Sequence, residues 1–394
     1  MDDRVREHAE VLVDWSARIE DGENVVCVAS EGTHDLAVAV ARAVGERGAN
    51  LVTLSGSAEI ERAHLLGYGE HAGIDENDES DRSDENEGDG AAEDVEFAED
   101  PAHELALYRN ADSVLVLGGG RNSAALADVP AATRQAASRA RTGVREARMA
   151  TDWVSTVHPT RALAQQAGMS YEAYQEFVYD AVLRDWEELA EEMARVKQVL
   201  DDGSQVRITN EGTDLTISIA DRRAVNSAAS VAYDSHNLPS GEVFTAPAAT
   251  EGRVRFDLPM TIRGRRVRDA RLEFEDGEVV DWEATAGEEV LTELIETDAG
   301  ARRLGELGIG MNRGITQLTD NVLFDEKLSR TIHLALGRAY DACLPDGETG
   351  TDSAVHVDLV TDMRGDSELL VDGEALQRHG YFRWEEGFEG RSDE

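Results

Sequence analysis

The spacing of apolar and polar positions changes period several times along the chain, and each change marks an element. Over residues 5–19, Val5, Ala9, Leu12 and Ile19 fall on one stripe, which predicts an amphipathic helix with Gly22 as its stop. Residues 25–29, VVCVA, are almost wholly apolar, the mark of a strand covered on both faces. An alanine-rich helix over 35–46 and a second apolar strand over 50–54 follow. This strand–helix–strand unit implies a parallel α/β sheet with right-handed crossovers. Residues 114–117, VLVL, repeat the strand signal, and Gly118-Gly119-Gly120 turns the chain towards a helix-like segment. Such a turn can seat a phosphate, but it lacks GxGxxG spacing and no GK[ST] follows, so a plain strand-to-helix turn accounts for it.

Residues 170–200 read as one long helix. Tyr174, Val178, Val182, Trp186, Leu189, Met193, Val196 and Leu200 recur at steps of three and four, with Phe177 and Ala181 beside them, Ser170 as a cap at the start and Gly203 after the end. Beyond Gly203 the period falls to two. Val206 and Ile208 alternate with polar residues, as do Leu215, Ile217 and Ile219, with Asn210-Glu211-Gly212 between them as a hairpin turn, and further strands are predicted over 253–256, 267–274 and 279–282, with Asp276-Gly277 as a turn. The expected organisation is an α/β N-terminal domain over 1–204, a parallel sheet with flanking helices, and an α+β domain over 205–394 that carries the chemistry.

Composition sharpens this picture. The 81 acidic and 38 basic residues give a formal charge of −43, which excludes a nucleic-acid partner. The acidic stretch 70–100 reads as a surface insertion. Asp75, Asn77 and Glu79 fit the start of a calcium loop, but Ser80 stands where its sharp-turn glycine belongs. An acidic, periodic, arginine-rich sequence fits a salt-rich cytoplasm, with folding and activity expected to need high salt. No apolar run is long enough to span a membrane and the start does not resemble a signal peptide, so a cytoplasmic protein is expected. Cys27 and Cys343 lie far apart, which argues against a disulfide framework.

The chemistry gathers in the last two-fifths. In SAVHVDLV the alternation is that of a strand, so His356 and Asp358 share a face, either as a metal half-site or as a hydrogen-bonded pair. Glu242 follows the bend Pro239-Ser240-Gly241, and Glu306 sits among glycines and aliphatics in LGELGIG. Both are read as acids in glycine-marked turns, and each alone is more often a salt-bridged acid. With His333 they make a nitrogen/oxygen set suited to zinc, cobalt or manganese, and five ligands suit two divalent metal ions sharing a carboxylate.

The stretches NLPSGEVFTAP, GELGIG, LFDEKLSRTIHLALGRAY and SAVHVDLV, with PTRALAQQAGMSYEAY, GTDLTISI and VDGEALQRHGYF, resemble in order the thermophilic-type metallo-aminopeptidases, the aminopeptidase T family. The resemblance implies a metal-dependent aminopeptidase acting on peptides with a free N-terminus, a homodimer, and dinuclear ligands at Glu242, Glu306, His333, His356 and Asp358. It also implies that Glu306 is a bridging ligand or the catalytic base and that Tyr340 is catalytic. Tyr340 lies seven residues after His333, so the two share a face if that segment is helical. The chain departs from the family at Arg330, where a small residue or glycine is usual, and near Thr351 and Asp352, where asparagine is usual. Two other functions fit the residues: a different dinuclear hydrolase, such as an amidase or phosphoesterase, or a non-enzymatic binding protein built on the N-terminal domain.

Overall fold

The computed structural model describes residues 2–71, 100–262 and 264–390. The calcium-loop positions and most of the acidic stretch 70–100 lie outside these residues. The chain divides into two compact units, Met1–Val178 and Tyr179–Glu394. The division falls within a helix, earlier than residue 204.

In the first unit, strands lie in the order Asn50–Gly56, Asn24–Ser30, Ser113–Gly118 and Asp152–Val157, each parallel to its neighbour. The apolar runs form this sheet because both faces are covered: Val25, Val26, Val114, Leu115 and Val154 are almost wholly inaccessible. The helix His34–Glu46 makes the expected crossover between the first two strands, burying Leu36, Val40 and Val44. The predicted N-terminal helix is present as Asp3–Glu10 and continues as a wider π turn over Val11–Ser16. After Gly118 the chain runs through turns, and helix resumes only at Ala131–Arg139.

The predicted helix over 170–200 is two helices, Tyr171–Val182 and Trp186–Asp202. Asp185 breaks it: its backbone is extended, and its carboxylate accepts the amide of Glu188 at 3.0 Å as an N-cap. The Trp186 indole N–H donates to the Val182 carbonyl at 2.9 Å, pinning the corner. The apolar stripe runs unbroken past this corner, which is why periodicity alone misses it.

The second unit holds a nine-stranded and a five-stranded antiparallel sheet. The hairpin Gln205–Asn210 to Thr213–Ser218 forms as expected, with Gly212 at φ +93° in its turn. The five-stranded sheet carries the candidate chemistry. Its order is His356–Asp362, Thr331–Gly337, Leu304–Gly310, Glu242–Thr245, Val225–Ser227. The two strands at positions two and three, Thr331–Gly337 and Leu304–Gly310, are buried at every residue.

Candidate metal centre

Cross-strand register places the predicted residues on one face of that sheet. Asp358 lies opposite Ala335, and Ala335 opposite Glu306, in one row. In the next row Val360 faces His333, His333 faces Gly308, and Gly308 faces Phe244. Glu242 is opposite Gly310, one row further along. The residues between the acids and imidazoles are small, and the His333 ring occupies the space above Gly308. A methyl on Gly308 would meet the His333 Nε2 at 1.9 Å, and one on Gly310 would meet the Leu328 carbonyl oxygen at 2.1 Å. The glycines of LGELGIG therefore make room across a strand interior. They do not mark a turn, and Glu306 is a mid-strand residue, contrary to the turn expected from its glycines. Glu242, expected in the same setting, follows Gly241 at φ +111° and begins its strand.

All five predicted residues converge. Ligand atoms of Glu242, Glu306 and His333 lie within 4.8 Å of one another, as do those of Glu306, His356 and Asp358. Glu306 belongs to both groups: its Oε1 is 3.1 Å from the His333 Nε2 and its Oε2 is 3.3 Å from the His356 Nε2. The Glu242 Oε2 is 3.5 Å from the His333 Nε2, and the Asp358 Oδ1 is 3.8 Å from the His356 Nε2. His333 is wholly buried, Glu242 and Glu306 nearly so.

The His356 ring is oriented by its second nitrogen. Nδ1 is 2.8 Å from the Arg338 carbonyl, which can only accept, so Nδ1 carries the proton and Nε2 is directed at the carboxylates. That carbonyl comes close because Gly305, at a β-bulge beside Glu306, has no side chain: a Cβ there would lie 2.2 Å from the Arg338 oxygen.

Electrostatics show what the cluster demands. Burial opposes charge on Glu306, yet hydrogen bonds from His333 and His356 outweigh it and hold its carboxyl below the usual range. Burial likewise lowers both imidazoles, but Glu306 and the neighbouring acids win: His333 is raised, and His356 rises to about 9. Burial raises the Asp358 carboxyl. Glu242 Oε2 and Asp358 Oδ1 are buried oxygens without a hydrogen-bond partner. Buried carboxylate oxygens are costly unless a cation or donor meets them. The donor set, two imidazoles and three carboxylates with the ligand atoms of each triad within 4.8 Å of one another, fits a divalent transition metal.

The chain belongs to the thermophilic metalloprotease family, M29.

The M29 family model matches residues 1–379. Aminopeptidase T of Thermus aquaticus is 38% identical over 178 residues, covering 41% of this chain and 43% of that protein. Aminopeptidase 2 of Geobacillus stearothermophilus is 32% identical over 216 residues, 49% of this chain and 51% of that one. The chain thus spans about half the length of the curated relatives it matches. A solved structure of wild-type AmpT from Thermus thermophilus superposes with a TM-score of 0.78 at 25% identity, covering 97% of this chain and 99% of that one. The likeness extends over both units, as the ordered motifs implied.

One residue of this M29 site was missed beforehand, and one was named but misplaced. Lys327 is a fully buried lysine. Its ammonium pairs with Glu326 and lies 3.4 Å from the Glu242 Oε1. One signal was available: the sequence has only two lysines, and this one sits in the DEKLSRTIH motif. Tyr340 is the other. His333 is on a strand, not a helix, so the expected two-turn spacing does not apply. Tyr340 instead follows that strand in a loop, with its ring 4.9 Å from the His356 ring and 5.6 Å from that of Phe244. Partial burial and the three site carboxylates raise its phenol pKa, so it is a neutral hydroxyl at ordinary pH. Arg330 occupies the left-handed region at φ +61°, which explains why glycine suits that position, and its guanidinium stacks 3.9 Å from the centre of the Tyr381 ring.

Proposed function

We propose that the protein is a metal-dependent aminopeptidase releasing N-terminal amino acids from peptides, with two divalent ions held by overlapping triads. Glu242, Glu306 and His333 hold one; Glu306, His356 and Asp358 hold the other. The observation that carries this reading is Glu306 with one oxygen turned to each triad. Of the two roles its motif allows, bridging ligand or proton acceptor, this geometry supports the first. When bound, such a pair acidifies a water and polarises the scissile carbonyl; zinc, cobalt and manganese all suit the ligand set.

The chain's own residues supply the rest. Lys327 holds one oxygen of Glu242, leaving the other for the ion. The Arg338 carbonyl fixes the tautomer of His356. Tyr340 keeps its proton and donates a hydrogen bond to the oxyanion of the tetrahedral species. The attacking water's proton passes to a carboxylate at the site and on to the leaving amine. A site carboxylate would hold the substrate's free amine, which would confine cleavage to one residue at a time.

Metal analysis of the purified protein, with leucine anilide and its N-acetylated form as substrates, tests the reading. Two ions per chain and cleavage of the free-amine substrate alone are expected. Equal cleavage of both would make the protein a general dinuclear amidase. No cleavage after addition of zinc, cobalt or manganese would remove the proposal.

A further inference from the structure

The loops at the carboxyl ends of the first unit's parallel strands enclose a cavity of about 560 Å³, and none of its lining residues belongs to the metal centre. Along the sheet, Asn24–Ser30 leads outward to Asn50–Gly56 on one side, and Ser113–Gly118 leads to Asp152–Val157 on the other. The crevice between the carboxyl ends of two such strands is where open parallel sheets seat their ligands. Glycine lets the two loops touch here: a Cβ on Gly32 would lie 2.0 Å from the Gly119 carbonyl oxygen. The helix His34–Glu46 starts at this crevice. No side chain caps its first turn, because the Thr33 hydroxyl donates instead to the Ser30 carbonyl at 2.7 Å.

Charges of both signs line the cavity. Glu31 accepts the Arg121 amide at 3.2 Å, and Asp35 is exposed in the first turn of the helix. The Arg161 guanidinium lies 4.8 Å from the centre of the Tyr171 ring, which holds it in place and leaves its N–H groups for an incoming carboxylate. His158 is only 8% exposed, and its Nδ1 has no hydrogen-bond partner. Burial outweighs the pull of Asp35 and lowers the pKa of this ring, so it is neutral at ordinary pH. A buried nitrogen without a partner, on a residue that lines a cavity, is a place where a polar ligand gains a hydrogen bond.

We infer that this cavity binds a free α-amino acid as its zwitterion, with the carboxylate on Arg161 and Arg121 and the ammonium on Asp35 and Glu31. A phosphate group brings about 1.5 to 2 negative charges, which Glu31 and Asp35 would repel. A purely cationic ligand would meet the two arginines. A zwitterion presents one charge of each sign and satisfies both. Free amino acids are also what the cleavage proposed above releases. The binding site is argued from residues of the first unit alone, and only this link with the product rests on the aminopeptidase reading.

Isothermal titration calorimetry on the full-length, metal-free protein tests this, in the molar salt that its acidic surface is expected to need. The probes are L-leucine, N-acetyl-L-leucine, L-leucinamide and inorganic phosphate. Leucine should bind at one site. Acetyl-leucine lacks the ammonium and leucinamide the carboxylate, so each should bind more weakly by about tenfold or more. Arg161→Gln and Asp35→Asn should each weaken leucine by a similar factor, and circular dichroism checks that both variants fold as wild type does. Leucine bound equally by wild type and both variants would place the amino acid elsewhere and overturn the assignment. Phosphate bound as tightly as leucine would make the cavity an anion site and overturn the zwitterion. Absence of leucine binding by the wild type would overturn the site altogether. Because binding is read without metal, failure to cleave leucine anilide would sink the aminopeptidase reading and leave this result standing.

Discussion

Gly308 lies directly opposite His333 in the antiparallel pair, and the imidazole lies across the space where a Gly308 side chain would be. A methyl there would meet the Nε2 at 1.9 Å, so the ring, not the backbone, would have to yield. The Gly308→Ala variant should therefore keep its strands but lose metal. Displacing an oriented ligand costs about 10–100-fold in metal affinity or activity. Circular dichroism matching wild type, with metal content and activity both reduced, is the expected result; full metal occupancy would show that the ring has other room.

Lys327 and Glu242 give a second prediction. Removing one partner of a buried ion pair costs about 3–5 kcal/mol, because the other charge is left without compensation. Lys327→Met leaves Glu242 and Glu326 facing each other without the ammonium between them. Urea unfolding of the metal-free variant should show a loss of that order. Divalent metal should restore part of it by binding Glu242. A loss unaffected by metal would place Lys327 outside the metal-binding network.

Tyr340 should matter for turnover and not for metal. Loss of one oxyanion-hole donor typically costs about 2.7–4 kcal/mol, or 100–1,000-fold in kcat. Tyr340→Phe keeps the ring between Phe244 and His356 and removes only the hydroxyl. Steady-state kinetics should show kcat reduced with metal content intact; an unchanged kcat would leave the tyrosine a packing residue.

His8 makes the first unit sensitive to acid. Its ring is buried, its Nε2 is 2.8 Å from the Thr156 hydroxyl, and burial, with the nearby His158, pushes its pKa down to about 3. The unfolded chain binds a proton near pH 6.5, but the folded one does not until about pH 3. Stability from this residue is thus complete above pH 6.5 and falls as pH drops through the interval, by about 1.4 kcal/mol per pH unit. His8→Gln, which has no titrating group, should flatten the pH dependence between pH 6 and 4 relative to wild type. Equal slopes in the two proteins would mean that His8 takes up its proton while folded.

The charge of −43 predicts salt dependence. At 1 M salt the Debye length is about 3 Å, so repulsion among acids that are not in contact is largely screened. Ellipticity and activity should rise together from low to molar salt. A native spectrum without added salt would count against a salt-adapted surface.

Much of this protein was readable from local pattern, because a period of two or of 3.6 reports which face of an element is buried. The strands of the first unit, the hairpin at Gly212, and the shared face of His356 and Asp358 all follow from residues a few positions apart. Where neighbouring signals competed, the pattern misled: the apolar stripe of 170–200 runs straight past the cap at Asp185. The glycines around Glu306 look like turn residues in one dimension, since a turn and a close cross-strand approach both ask for a missing side chain.

Strand register was decided only in three dimensions. Residues 242, 306, 333 and 356 belong to strands far apart in the chain, and nothing local says which row of one faces which row of the next. Pairing fixed by long-range packing turns one oxygen of Glu306 to each imidazole, brings the Arg338 carbonyl to His356, and buries Lys327 beside Glu242. The residue types at the centre were determined by the sequence. Their distances, and which carboxylate faces both histidines, were decided by the sheet.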